Sequence, residues 1–133
     1  MPIVIDTNIV LDLFVFKDAA ARPLEQLLTD GKLDWIATPA MREELARVLD
    51  YPQIVLRRAA STLSSADVLA GFDSQARLVD VASKASVTCR DPDDQKFIDL
   101  AVAHRALLLS KDRAVTSMAK RLLAHGVLAQ SAI

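Results

Sequence analysis

Three short apolar runs, at residues 2–5, 33–37 and 106–110, constrain the architecture most. Each is too short to be a packed helix, and each gives way to a polar residue and then to helical periodicity. Pro2–Ile5 stops at Asp6, the run ending at Ala37 stops at Thr38, and Ala106–Ser110 leads into Lys111 and Asp112. Runs of this kind, alternating with helices, are expected for strands of a largely parallel sheet covered on both faces.

The segments between them fill in the layers. The spacing predicts helices over 8–16, 19–30, 39–49, 53–61, 64–76, 92–105 and 114–125, with a third strand over 77–82 and an edge strand over 127–129. Thr38 followed by Pro39 is a cap with proline at the first helical position, and Ser64 or Ser65 caps a later helix. Gly31 and Gly126 stand where helices should stop. The expected fold class is α/β: a three-layer α/β/α sandwich with a mostly parallel central sheet, in one domain covering 1–133. No internal repeat, low-complexity tract or linker interrupts it.

Composition removes several functions. The chain has only three glycines, and they are not clustered, so neither a dinucleotide loop nor a phosphate loop is present. The nucleophile-elbow pattern is absent too. A net charge of −1 gives no general attraction to nucleic acid, so an anionic substrate must be held locally, by a few basic side chains or a metal ion. A single cysteine, Cys89, points to a reducing, cytoplasmic setting. The start MPIVID carries no basic leader, and Asp12 interrupts the apolar stretch 8–16, so neither a signal peptide nor a membrane span is expected.

The acids hold the chemistry. At about 100° per residue, with Asp94 set at zero, Phe97 falls at about −60°, Ile98 at about +40° and Ala101 at about −20°. Asp94 is therefore centred on the apolar stripe, while Asp99 falls on the solvent side. A plainer reading has Asp94 merely complementing the helix dipole. In the helix after Thr38, Met41, Leu45, Val48 and Leu49 mark the buried face; Glu43 lies opposite it and Glu44 at its border. Asp6 and Asp112 each follow a strand, where open α/β sheets collect ligands, although either can also serve as a helix cap. Four carboxylates at one sheet edge repel one another and raise each other's pKa. A hard divalent cation such as Mg²⁺ or Mn²⁺ relieves that cost and can present an attacking water to a phosphodiester.

Taken in order, DTN at 6–8, TPAMREEL at 38–45, DPDDQKFIDLA at 91–101 and LLLSKD at 107–112 resemble the PIN-domain ribonucleases, most closely the branch of toxin components of toxin–antitoxin systems. The resemblance spans essentially the whole chain and rests on order and spacing rather than on any single motif. It implies that Asp6, Glu44, Asp94 and Asp112 are the catalytic, metal-holding acids, with Thr7, Asn8, Thr38 and Ser110 in support. It also implies an RNA substrate cut to 5′-phosphate and 3′-hydroxyl ends, and a small antitoxin partner. Many relatives carry one more aspartate two or three residues after the fourth acid. Ala114 and Val115 hold those places here, which puts a second metal site in doubt.

Lys111 and Arg113 flank Asp112 and are the preferred substrate contacts, and the histidines His104 and His125 lack a paired ligand spacing. Ile9, Val10, Leu13, Phe14 and Phe16 exceed what one helix face buries, which suggests a homodimer surface. The expected function is a Mg²⁺- or Mn²⁺-dependent endoribonuclease that prefers single strands. A catalytically weak or inactive PIN-like module that binds RNA or protein is the alternative; losing the extra aspartate favours it and keeping the four acids opposes it. A phosphate-receiver or phosphatase domain also places aspartates at strand ends, with a lysine at a later strand end that Lys111 can imitate.

Overall fold

The computed structural model describes all residues from Met1 to Ile133. Five strands, β1 (Pro2–Ile5), β2 (Asp34–Ala37), β3 (Arg77–Leu78), β4 (Leu107–Leu109) and β5 (Ala129–Gln130), form one sheet in the order β3-β2-β1-β4-β5. Every pairing is parallel. β1 lies at the centre, and Ile3 and Val4 on it are fully buried. Parallel strands need crossovers, and helices supply them here. These are α1 (Thr7–Leu11), α2 (Arg22–Thr29), α3 (Pro39–Val48), α4 (Pro52–Ala60), α5 (Ser65–Gln75), α6 (Gln95–His104), α7 (Arg113–Thr116) and α8 (Ala119–Leu123). The result is the expected α/β/α sandwich.

The order of connections positions the site. From β1 the chain builds outward through β2 and β3; it then returns to lay β4 on the other side of β1 and β5 beyond it. The strand order thus reverses between β1 and β4, and a crevice opens at their carboxyl ends. Ile5 pairs with Leu109, and the Asp6 amide donates to Leu109 O at 2.9 Å. Asp6 and the segment after β4 are therefore held side by side at that crevice.

Several elements differ from expectation for identifiable reasons. The first helix changes after Leu11 into a π-helical turn, Asp12–Phe16, ended by Lys17 at φ 52°. Asp12, Leu13 and Val15 are buried in this wider turn. The expected helix 114–125 breaks into α7 and α8, with Met118 buried at the junction. β3 has only two residues and β5 begins at Ala129, since both are edge strands with a single neighbour. Gly31 at φ +70° and Gly126 at φ +78° adopt the left-handed conformation after a helix, as their positions suggested.

The core is aliphatic and built around Trp35 and Phe97. Phe14 stacks on Trp35 at 6.2 Å between ring centroids, and Phe72 meets Trp35 edge-on at 5.1 Å. Gly71 lets α5 approach Phe14, because a Cβ there would sit 3.1 Å from its ring. The proposed homodimer surface is absorbed by these contacts: Ile9, Val10 and Leu13 are buried, and Phe14 and Phe16 are half-buried under α4 and α5. Apolar exposure lies elsewhere, on Tyr51, Val55 and Leu56 at α4. No helix is long and apolar enough to cross a membrane.

Candidate active site

Asp6 follows β1 and is buried. Ser110 Oγ, fully buried after β4, donates to Asp6 Oδ2 at 2.6 Å and accepts from the Asp112 amide at 3.0 Å. One hydroxyl thereby fixes two of the acids. Asn8 Oδ1 accepts from the Lys111 amide at 3.1 Å, tying the two strand ends together. Asp112 Oδ1 caps α7 by accepting from the Ala114 amide at 2.9 Å. The cap reading and the site reading of Asp112 thus hold together, since its second oxygen remains free of that bond.

Glu44 reaches the crevice from α3. Its Oε2 accepts from Thr7 Oγ1 at 3.1 Å and pairs with Lys96 Nζ at 3.1 Å. Glu43, one residue earlier, is exposed, in agreement with the helical angles. Thr38 is buried and begins α3, which aims Glu44 without a hydrogen bond from Thr38 to it.

Asp94 is the deepest of the group on its helix, with 7% exposure. It sits in a 3-10 turn, Pro92–Asp94, immediately before α6 rather than inside the helix, yet its side chain faces inward as the apolar stripe required. Its Oδ2 is a buried oxygen with no hydrogen-bond partner. Carboxyl oxygens of Asp91, Asp94 and Asp112 lie within 4.8 Å of one another. Asp6 and Glu44 stand outside that tight trio, although the Asp6 charge reaches Asp94.

The electrostatics follow from this crowding. Burial, then a hydrogen bond with Asp112 and the charges of Asp6, Asp112 and Asp91, push the Asp94 carboxyl up to about 8. Burial also raises the Asp6 carboxyl; the Ser110 hydroxyl opposes this, and Glu44 and Asp112 add to it. An orphaned buried oxygen amid like charges is costly for a fold to keep. A divalent cation with oxygen preference would satisfy Asp94 Oδ2 and offset the repulsion, so the donor set fits Mg²⁺ or Mn²⁺.

A family model described as PIN domain matches residues 2–114. The chain belongs to the PIN-domain family. Among solved structures it is similar to VapBC2 from Rickettsia felis bound to a DNA fragment from their promoter, with a TM-score of 0.64 and 14% identity over 97% of each chain. At that identity the likeness is one of fold. No curated protein matches the chain.

Within this PIN domain the structure adds residues that sequence reasoning missed. Asp91 completes the trio; it precedes the 3-10 turn as its N-cap, its Oδ1 accepting from the Asp93 amide at 3.0 Å. Lys96, one turn after Pro92, meets Glu44 from α6 and also covers the Phe97 ring at 4.9 Å. Two assignments change. Lys111 Nζ pairs with buried Asp12 Oδ2 at 2.6 Å while its side chain stays half exposed, so its charge is shared with an acid of the chain itself. Asp99 is not a solvated charge: its Oδ1 accepts from the Ala85 amide at 2.9 Å and from Gln95 Nε2 at 2.7 Å, pinning the loop before α6. Cys89 is buried, and its thiol donates to Ala114 O at 3.4 Å.

Proposed function

We propose that this PIN domain is a Mg²⁺- or Mn²⁺-dependent endoribonuclease of the cytoplasm, the toxin half of a toxin–antitoxin pair, restrained by a small antitoxin protein. The observation that carries the reading is the unpartnered, buried Asp94 Oδ2 facing Asp91 and Asp112 at the carboxyl ends of β1 and β4. Family membership and the VapBC2 fold likeness support the toxin context.

Asp6, Glu44, Asp94 and Asp112 would hold the ion, directly or through water. Once bound, a divalent ion supplies a more acidic water and positive charge beside the scissile phosphate. The chain's own residues prepare that chemistry. Ser110 holds the Asp6 carboxylate and the Asp112 backbone on one hydroxyl, and the Ala114 amide orients the Asp112 carboxylate, so less side-chain search is needed when substrate arrives. Thr7 and Lys96 hold Glu44 at the border of the crevice. Burial on the β1–β4 side keeps bulk water from screening the acids.

The test is cleavage of labelled single-stranded RNA in Mn²⁺ and in chelator, with Asp94→Asn as comparator. We expect cleavage by the unmodified chain in Mn²⁺ only, and a loss of at least 100-fold, on the order of the loss of one group stabilising charge in the transition state, for Asp94→Asn. One observation favours the second reading, a weak or inactive binding module: Lys96 already neutralises Glu44. RNA binding without cleavage under all metal conditions would favour that module.

A further inference from the structure

Six of the basic side chains of this protein are engaged by a carboxylate or an aromatic ring. Arg42 pairs with Asp73, Arg58 with Asp50, Arg77 with Asp34, Lys96 with Glu44 and Lys111 with Asp12. Arg57 lies over the Phe16 ring at 4.6 Å. Arg90 and Arg113 are exposed and outside these pairs, as are Arg22, Arg47 and Arg121, but they differ from those in position. They are the chain neighbours of Asp91 and Asp112, whose carboxyl oxygens lie within 4.8 Å of each other. Consecutive Cα atoms are about 3.8 Å apart, so each arginine is rooted at the rim of the acid cluster.

Between them lies an open cleft of about 440 Å³ lined by Arg90, Arg113, Thr116 and Ser117, with no apolar residue. Its size falls within the roughly 300–1,000 Å³ common for ligand sites, but its lining suits only a charged, strongly hydrogen-bonding group. We propose that this cleft binds a backbone phosphodiester of the RNA, the phosphate adjoining the one presented to the acid cluster. The inference rests on the ribonuclease reading and names how its substrate is anchored.

Three physical points carry it. A chain of net charge −1 with clustered carboxylates repels RNA at the cleavage point, so attraction must come from beside that point. Guanidinium forks match phosphate oxygens in two-point hydrogen bonding, and the absence of a carboxylate partner leaves both forks available. The Thr116 and Ser117 hydroxyls can add neutral donors; Ser117 Oγ at present donates only a long bond, 3.4 Å, to Ala114 O. Phosphate contacts of this type position a strand without reading its bases. The cleft therefore sets the strand's path across the acids and leaves base preference to other surfaces. Unlike Lys111, which pairs with Asp12, both arginines here have no carboxylate to leave.

The experiment measures affinity for a labelled single-stranded RNA oligonucleotide across a range of KCl concentrations, on an Asp94→Asn background that prevents cleavage. Arg90→Ala with Arg113→Ala should weaken binding about tenfold or more. It should also make the log–log salt slope shallower by about 0.7–1.4, the loss of one or two phosphate contacts on a single strand. Arg90→Lys with Arg113→Lys should keep most of the slope and lose part of the affinity, because charge survives and the fork does not. Arg22→Ala on α2 serves as the control and should change neither. The arginine variants should melt at the unmodified temperature, and in the Asp94 background replaced by the native residue their Mn²⁺-induced rise in Tm should be intact. An unchanged slope and affinity in the double variant overturn the cleft while leaving the nuclease reading in place. Absence of RNA binding by the Asp94→Asn chain with both arginines present overturns the parent reading as well.

Discussion

Asp94→Asn should make the metal-free protein more stable, and by an amount that grows with pH. The folded-state carboxyl is pushed up to about 8 from an ordinary 3.8, chiefly because burial leaves its Oδ2 without a partner. Between those two values the folded chain keeps a proton that the unfolded chain has released. The folded state therefore binds more protons, and linkage makes stability fall as pH rises through that window. The contribution is fully present below about pH 4 and lost as pH passes about 8. Four units would correspond to about 5 kcal/mol if Asp94 alone bore the effect. Asp6 and Asp112 share the repulsion and small rotations relieve it, so about 2 kcal/mol is expected, the usual cost of one unsatisfied buried polar group. Urea denaturation in chelator at pH 5 and pH 8 measures it. The advantage of Asp94→Asn over the unmodified chain should increase by about 1.3 kcal/mol between the two, the larger part of that total. Mn²⁺ at about 100 times its Kd should then return about 3 kcal/mol to the unmodified chain at pH 8 and little to the variant. An advantage that is constant or shrinks with pH would show that the charged form of Asp94 is stabilised in the fold and that the argument from its orphaned Oδ2 is wrong.

Other expectations concern neighbours of the cluster. Glu44→Gln should reduce RNA cleavage strongly and Glu43→Gln hardly at all, because only Glu44 reaches the crevice; comparable losses in both would refute the α3 geometry. Asp99→Asn should leave cleavage by folded protein nearly unchanged yet lower stability by about 1–2 kcal/mol in urea melts, since Asp99 holds the Ala85 amide and Gln95. Lys111→Met should strand the buried Asp12 carboxylate and lower stability by about 1–3 kcal/mol, with RNA affinity at low salt otherwise preserved. A stable Lys111→Met protein with lost RNA affinity would restore Lys111 as a substrate contact. Ser110→Ala should weaken Mn²⁺ binding measured by calorimetry, because Asp6 and Asp112 lose their shared hydroxyl.

Much of the fold was legible because strands and helices here obey simple periods. The apolar run at 2–5 is β1 and the run at 106–110 contains β4, and the acids that follow them stand at the strand-order reversal. Helical angles separated Glu44 from Glu43 because α3 is a regular helix over both. The same angles placed Asp94 inward even though it lies in a 3-10 turn, since the apolar stripe continues from Phe97. Asp91 was passed over because it stands just before the expected helix 92–105, where no helical angle applies, although its carboxyl joins those of Asp94 and Asp112. Asp99 was misread because its partner, the Ala85 amide, arrives from a loop with no periodic signal. Asp12 looked like a mere interruption of an apolar stretch. Its burial depends on the π turn and on Lys111, a residue 99 positions away by sequence number (111 − 12). The excess of apolar side chains at 9–16 was real, but α4 and α5 consume it within the chain.

The most direct test of the central claim is anomalous diffraction from crystals of the unmodified protein soaked in Mn²⁺. A dominant manganese peak among Asp6, Asp94 and Asp112, touching Asp94 Oδ2 and absent from Asp94→Asn crystals, is the predicted result. An empty crevice at saturating Mn²⁺, or an ion bound only by acids away from β1 and β4, would contradict it.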